Sequence, residues 1–378
     1  MPFHDPVVID LADRGDLDAR IAATPEVPAV FLIWPREGAP YLARTRLLRR
    51  RLRRLLGERA APSRVLNLRP VASRIEYWLS GSGLEAMLTH YELAARHFPA
   101  DYLHLLKLRM PPYVKLTLAN PFPRTLVTTR LGAGRGLHYG PFRTRAAAEL
   151  FEGQVLELFQ IRRCQEDLTP SPGHPGCIYG EMNKCMRPCQ QAVSPEQYRT
   201  ETDRVRLFLE TGGRSCLDSL ETARERLSAE LRFEDAAREH RQIEKVQEVL
   251  RLRDELVDNI DRLHGIAVTR STEAGAVQLR FVVAGCWRPP VRFGFEVVEG
   301  KAVSLDHRLR ELVASVAGPD PRATRQVRQE HLALLARWFY SSWRDGEWIP
   351  FSDFESVPYR KLVRAISRQA MKPGEPSA

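Results

Sequence analysis

The chain has 378 residues, 43% of them hydrophobic and 28% charged, an ordinary balance for two or three folded domains and not that of a disordered segment. No apolar run approaches the roughly 18 to 20 residues of a membrane helix, and the acidic start MPFHDPVVIDLADRGDLD lacks the basic and apolar regions of a secretory signal; no membrane role and a cytoplasmic location are expected. The formal net charge of +10 is carried mostly by arginine and favours a polyanionic partner, DNA or RNA, although an arginine-rich background would give the same balance.

Val27 to Trp34 (VPAVFLIW) is a run of β-branched and aromatic residues and reads as a buried strand. Glu37 to Pro40 turns the chain, and Tyr41 to Ala43 is placed as the returning strand. The segment RTRLLRRRLRRLLGERA then has leucines 47, 48, 52, 55 and 56 at helical spacing, with Gly57 as a stop and Arg44, Arg46, Arg49, Arg50, Arg51, Arg53 and Arg54 on the remaining positions. Ser73 to Leu79 reads as a strand, Ser80 to Ser82 as a cap and Gly83 to Phe98 as a helix. Tyr113 to Leu118 and Thr125 to Arg130 are two further strands, followed by a helix over Thr144 to Phe159.

Pro195 to Leu209 is helical. Ser215 to Val257 is long and charged and reads as two antiparallel helices joined near Leu231 to Glu234. Its expected seam is Leu217, Leu220, Leu227, Leu231, Phe233, Ala236, Ala237, Ile243, Val246 and Leu250, with Phe233 as an exposed aromatic anchor for a partner. Strands return over Gly265 to Val298, Pro319 to Trp343 is mostly helical, and Met371 to Ala378 is a polar tail.

Four of the six cysteines fall between Cys164 and Cys189, spaced Cys-x12-Cys-x7-Cys-x3-Cys in a Pro- and Gly-rich stretch. A reducing compartment disfavours a disulfide staple, so clustered thiols point to a metal centre. Zinc prefers paired knuckles, and only Cys185 and Cys189 are spaced as one. An irregular loop suits four thiolates converging on an iron–sulfur cluster; zinc stays open as the alternative, with His174 as a possible substitute ligand. Cys216 and Cys286 read as ordinary core residues.

CIYGEMNKCMRPC, the YRTETDRVRLFLE that follows, the upstream HYGPFRTRAAAELFEGQVLELFQIRRC and the downstream LRFEDAAREHRQI together resemble the UvrC excinuclease family, collinearly over roughly residues 25 to 350. The resemblance implies a 4Fe-4S cluster on Cys164, Cys177, Cys185 and Cys189. It implies an N-terminal GIY-YIG nuclease module, in which a Tyr serves the attacking oxygen, an Arg the phosphate charge and a Glu a divalent metal. Tyr41 and Arg51 keep their family positions. Phe31 stands in place of a Tyr, His90 in place of the metal Glu, and Tyr102 in place of an Asn. Imidazole is a poor exchange for an oxygen ligand to Mg²⁺.

The resemblance therefore implies an α+β protein of nucleotide-excision DNA repair that binds DNA and UvrB or another UVR-containing protein, with little or no incision activity. The alternatives are an active structure-specific endonuclease using Mg²⁺ and a displaced carboxylate, Glu92 or Glu85, and a regulatory UvrB-binding protein. Phosphate contacts are expected from Arg44, Arg46, Arg49, Arg50, Arg53 and Arg54, and partner contacts from Phe233, Ala236 and Ala237. The implied layout is an N-terminal extension (1–24), a GIY-YIG-like domain (25–105), a linker region with the cysteines (106–212), a UVR-like hairpin (213–258), an α+β region (259–355) and a tail (356–378). That α+β region resembles only the segment before the family's RNase H domain, so the RNase H and helix-hairpin-helix domains are expected to be missing.

Overall fold

A computed structural model describes residues 5–11, 17–58, 66–132, 134–294, 297–298, 301–302, 304–318 and 324–371. The fold is α+β, with sheets in three successive regions and helices packed on and between them.

The first region contains β1 (Val7–Asp10), α1 (Leu17–Ala23), β2 (Ala29–Pro35), β3 (Tyr41–Thr45), α2 (Leu48–Leu56), β4 (Ala72–Leu79), α3 (Gly83–His97) and the short α4 (Tyr102–Leu105). Its antiparallel sheet runs β1-β4-β2-β3, leaving β3 at an edge. Strand β2 is buried on both faces, which accounts for its unbroken apolar run. Ala29, Phe31 and Ile33 face α1 and α2, while Val30 and Leu32 face α3. The stretch expected as an N-terminal extension supplies β1 and α1, with Leu17 and Ile21 in the core. The arginine-rich helix is shorter than its sequence suggests, because Arg44 and Thr45 close β3.

The second region contains β5 (Tyr113–Leu116), β6 (Thr125–Thr128), β7 (Leu137–Gly140), α5 (Arg145–Leu156), the cysteine segment with a one-turn α6 (Ile178–Glu181), and α7 (Pro195–Glu210). The hairpin helices α8 (Arg214–Ala229) and α9 (Phe233–Arg251) follow, and β8 (Asp258–Asn259) completes a sheet of order β6-β5-β7-β8. The third region contains β9 (His264–Arg270), β10 (Ala276–Val283), β11 (Cys286–Trp287), β12 (Val291–Gly294), a small ribbon of β13 (Val297–Val298) and β14 (Lys301–Ala302), α10 (Leu305–Val316), α11 (Arg325–Phe339), β15 (Glu347–Phe351) and α12 (Tyr359–Met371). Its main sheet runs β11-β10-β9-β15, with β12 also paired to β10. Part of the stretch expected as a tail from residue 356 is α12, which buries Leu362, Ala365 and Ile366 on that sheet.

Helix α3 is capped by Ser82, whose hydroxyl accepts from the Glu85 amide at 3.1 Å. It is buried nearly all round, as a helix must be when both sides are covered. One side packs on β2 and β4, the other on α11 and the third sheet. Gly81 lets the regions meet, because a Cβ there would lie 2.4 Å from the Ser271 backbone. The buried Glu330 of α11 accepts hydrogen bonds from both Tyr91 and Tyr102 at 2.6 Å, and Asp345 takes one from the Gly83 amide.

Candidate functional site

The structure brings Tyr41 and Arg51 together. An Arg51 guanidinium N–H donates to the Tyr41 hydroxyl at 3.0 Å. Tyr41 lies on edge strand β3, and its ring centroid is 6.2 Å from that of Phe31. Leu48, Leu52, Leu55 and Leu56 pin α2 to the sheet, which turns Arg50, Arg53 and Arg54 to solvent. Arg46 is also exposed. Arg49 is committed to the fold, because its Nε donates to the Thr24 carbonyl at 2.7 Å.

His90 occupies the other face of the sheet with Arg44, which pairs across from Val30. Burial lowers its pKa to about 4, and the cations Arg44 and Arg337 add to the shift. Arg337 comes from α11, where it also donates to the Leu106 carbonyl at 2.8 Å. Tyr102 holds Glu330 and does not reach toward Tyr41. Glu85 and Glu92 turn to the buried Arg280 of β10, and Glu85 also accepts from the Gly81 amide at 2.7 Å.

This arrangement gives the fold a pH signature. Burial, chiefly, lowers the pKa of His138 to about 4 as well. Both imidazoles are neutral in the native state, whereas the unfolded chain takes up protons near pH 6.5. The unfolded state then binds more protons, so stability falls as pH drops from about 6.5 to about 4. Urea denaturation across that window is expected to show the decline, and His90→Gln to remove about one proton from its slope. An unchanged slope would show that His90 titrates normally.

All four cysteines of the central segment are free thiols; Cys185 and Cys189 are buried, Cys164 is half-buried and Cys177 is exposed. The segment is tied to α7 through the stretch that follows α5: the Met186 amide donates to the Gln160 carbonyl, and the Gln160 amide to Glu201. Its turns place Asn183, Arg187 and Gln191 in the left-handed region. Burial pushes the Cys185 thiol up to about 11, and Cys164, Cys177 and Cys189 add to the shift, so these three lie within electrostatic reach of Cys185. The Arg187 amide approaches the Cys185 sulfur at 3.4 Å. The His174 Nδ1 already accepts from the Gly176 amide at 3.0 Å. Among the described residues no three His, Cys, Asp or Glu side chains are arranged to hold a metal ion. Of the other two cysteines, Cys286 is buried and Cys216 packs half-buried against the second core.

The hairpin buries Leu227, Ala236, Ile243, Val246 and Val249. Leu231 leaves the expected seam because it lies in the turn, where it is 72% exposed; Phe233, expected as an exposed anchor, opens α9 and is 63% exposed. Ala237 is exposed beside the buried Ala236.

Residues 111–208 match the family model described as UvrC/Cho excinuclease, middle domain. The UvrABC system protein C of Lachnospira eligens is 25% identical over 292 residues, covering 76% of this chain and 48% of that one. That of Moorella thermoacetica is 28% identical over 294 residues, covering 77% and 45%. That of Methanothermobacter thermautotrophicus is 28% identical over 255 residues, covering 67% and 42%.

The chain is thus similar to UvrC proteins over about three quarters of its length, and its residues 111–208 match their middle domain. It spans about half the length of the curated relatives it matches. No solved structure matches it. Sequence reasoning missed two groups that shape the sites. One is Arg337, which lies more than two hundred positions from the strand it approaches. The other is Arg162, which is buried beside Cys164; the uninterrupted IRRC stretch carries no sign of which arginine faces inward.

Proposed function

We propose that this chain acts in nucleotide-excision DNA repair by binding DNA through a nuclease-like module that holds phosphate without cutting it. The observation that carries this is the split of the module's chemistry. The Tyr41–Arg51 pair is intact and able to meet a phosphate. The position implied for the metal carboxylate holds a neutral imidazole beside two arginines, which repel a divalent cation and offer it no oxygen. Glu85 and Glu92, the carboxylates that could stand in, are engaged with Arg280. This weighs against the endonuclease reading.

The four cysteines are read as ligands of an iron–sulfur cluster, with zinc as the competing metal. Four free thiols in one segment, three of them within electrostatic reach of Cys185, would supply the donors once the segment closes on a metal. An amide approaches one sulfur, and the buried Arg162 keeps Nη2 without a hydrogen-bond partner among the described residues. An anionic thiolate centre would answer that cation. Such a cluster would cross-link the loop to α5 and α7, and where reducible it would carry one electron. The exposed Leu231 and Phe233 at the hairpin turn suit a docking contact with UvrB or another UVR-containing protein.

The test is binding of a damaged duplex across a salt series, followed by incubation with Mg²⁺ or Mn²⁺. Affinity is expected to fall steeply with salt, and Arg53→Ala/Arg54→Ala to reduce the log–log slope by roughly 1.8, or about 0.9 for each phosphate no longer neutralised. No incision is expected. A flat salt response would remove phosphate-driven binding, and cleavage abolished by Tyr41→Phe would make the module an enzyme.

A further inference from the structure

Residues 102–148 contain eight lysines and arginines and no aspartate or glutamate. That stretch alone supplies most of the net charge of +10, and the two signs nearly balance elsewhere in the chain. An arginine-rich background raises cations everywhere; it does not clear one stretch of acids. Among the described residues only Arg145 of the eight makes an ion pair, with Glu149 at 2.7 Å. Arg130 and Arg135 are exposed and Lys115 is half-buried. Like charges left unpaired repel one another in the folded chain, and a polyanion relieves that.

The sheet gathers these charges around one crossing. Strands β6 and β7 flank β5, and both run antiparallel to it, so the connection between them has to cross β5. It crosses on the Lys115 side. A Cβ at Gly136 would lie 2.8 Å from Lys115 Cε and 2.9 Å from the Leu116 carbonyl oxygen, and one at Gly132 would lie 3.1 Å from Lys115 Nζ. Glycine is what lets the backbone lie on the lysine stem. The ammonium ends beside the exposed Gly132 and makes neither a hydrogen bond nor an ion pair among the described residues. Arg130 stands before the crossing and Arg135 within it. Arg325, the first residue of α11, acts electrostatically on His138, which lies directly across from Lys115; it too is exposed and unpaired among the described residues. The carboxylate that acts on the same histidine, Asp261, is paired with Arg328 at 2.7 Å.

We propose that the glycine-rich crossing between β6 and β7 is a phosphate seat, with Lys115 at its base and Arg130 and Arg135 flanking it, and that it takes the backbone of DNA. An ammonium with free donors, beside backbone that carries no side chains, gives a phosphate oxygen close approach. A small anion would need the seat alone; unpaired cations running from Arg109 to Arg143 suit a polymer of phosphates. This rests on the reading of the chain as a DNA binder but not on the arginine helix α2, which lies in another region.

The experiment measures binding of the full chain to a duplex across a salt series, for wild type, Lys115→Gln, Arg130→Ala/Arg135→Ala and the control Arg145→Ala. The arginine pair is expected to reduce the log–log slope by roughly 1.8 and Lys115→Gln by about 0.9, one step for each phosphate no longer neutralised. Both losses are expected to be the same on duplexes of unrelated sequence. Arg145→Ala, whose cation is already paired with Glu149, is expected to keep the wild-type slope. A wild-type slope in Lys115→Gln and in Arg130→Ala/Arg135→Ala overturns the seat. If Lys115→Gln does not fold, the exposed arginine pair decides. Calorimetry with inorganic phosphate separates the two sources of the ligand. Saturable phosphate binding that Lys115→Gln abolishes, with the DNA slope unchanged, overturns the assignment to DNA. The α2 variant Arg53→Ala/Arg54→Ala separates this seat from the nuclease-like module. A slope reduced only by the α2 variant upholds the module and overturns the seat; one reduced only by Arg130→Ala/Arg135→Ala upholds the seat without the module. A wild-type chain that binds no duplex removes both.

Discussion

On the proposed reading of the four cysteines as cluster ligands, serine at Cys185 or Cys189 is expected to abolish iron binding in chain purified without oxygen. Both residues are buried, and the Cys185 sulfur sits where three other thiols converge electrostatically. Even removal of an outer partner of a metal ligand costs about tenfold to a hundredfold in affinity, so removal of a ligand itself is expected to exceed that. Metal binding by thiolates is also folding free energy. The same variants are therefore expected to unfold at lower urea, and a chelator to bring wild-type protein down toward them. Cys216→Ser and Cys286→Ser are the controls; both residues lie outside the central segment, and both variants are expected to keep full metal content. Iron retained in full by Cys185→Ser would end the ligand assignment. Zinc found in place of iron would change the metal and leave the four ligands standing.

Much of this architecture was legible locally. The β2 strand follows from an unbroken apolar run, α2 from its leucine spacing, and the hairpin from two amphipathic stretches meeting at Leu231. The pairing of Tyr41 with Arg51 also lies within ten residues of chain. What escaped was set by distant partners. Helix α12 looks like part of a polar tail until its apolar stripe finds the third sheet. His90 could be placed on a helix, but its neutral state depends on burial and on Arg337 from α11. Leu231 reads as a seam residue because periodicity does not show where a helix stops; its exposure comes from the turn. The inward face of Arg162 depends on Tyr198 and the Phe122 carbonyl, which no short motif announces.

Arg280→Met is expected to destabilise the chain by about 3–5 kcal/mol, because removing one partner of a buried charge set strands the others. Arg280 is 2% exposed in β10, and Glu85 and Glu92 approach it from α3 across the seam between the first and third regions. Burial lowers its pKa to about 10 and the two carboxylates oppose that shift; burial likewise raises the pKa of Glu92. Such a set adds little net stability over apolar residues of the same shape, yet it penalises any geometry that separates its members. Arg280→Met/Glu85→Gln/Glu92→Gln is therefore expected to recover most of the loss in urea denaturation, the non-additivity of residues that share one set of contacts. A single variant as stable as wild type would mean that the charges do not depend on one another. The seam bears on function, because α3 carries His90 and α11 carries Arg337, and the lock keeps the imidazole and that cation in register. Clamped by Arg280, by the two tyrosines on Glu330 and by Asp345 on the Gly83 amide, the first region keeps one geometry against the third, which under the proposed function suits holding DNA more than cutting it.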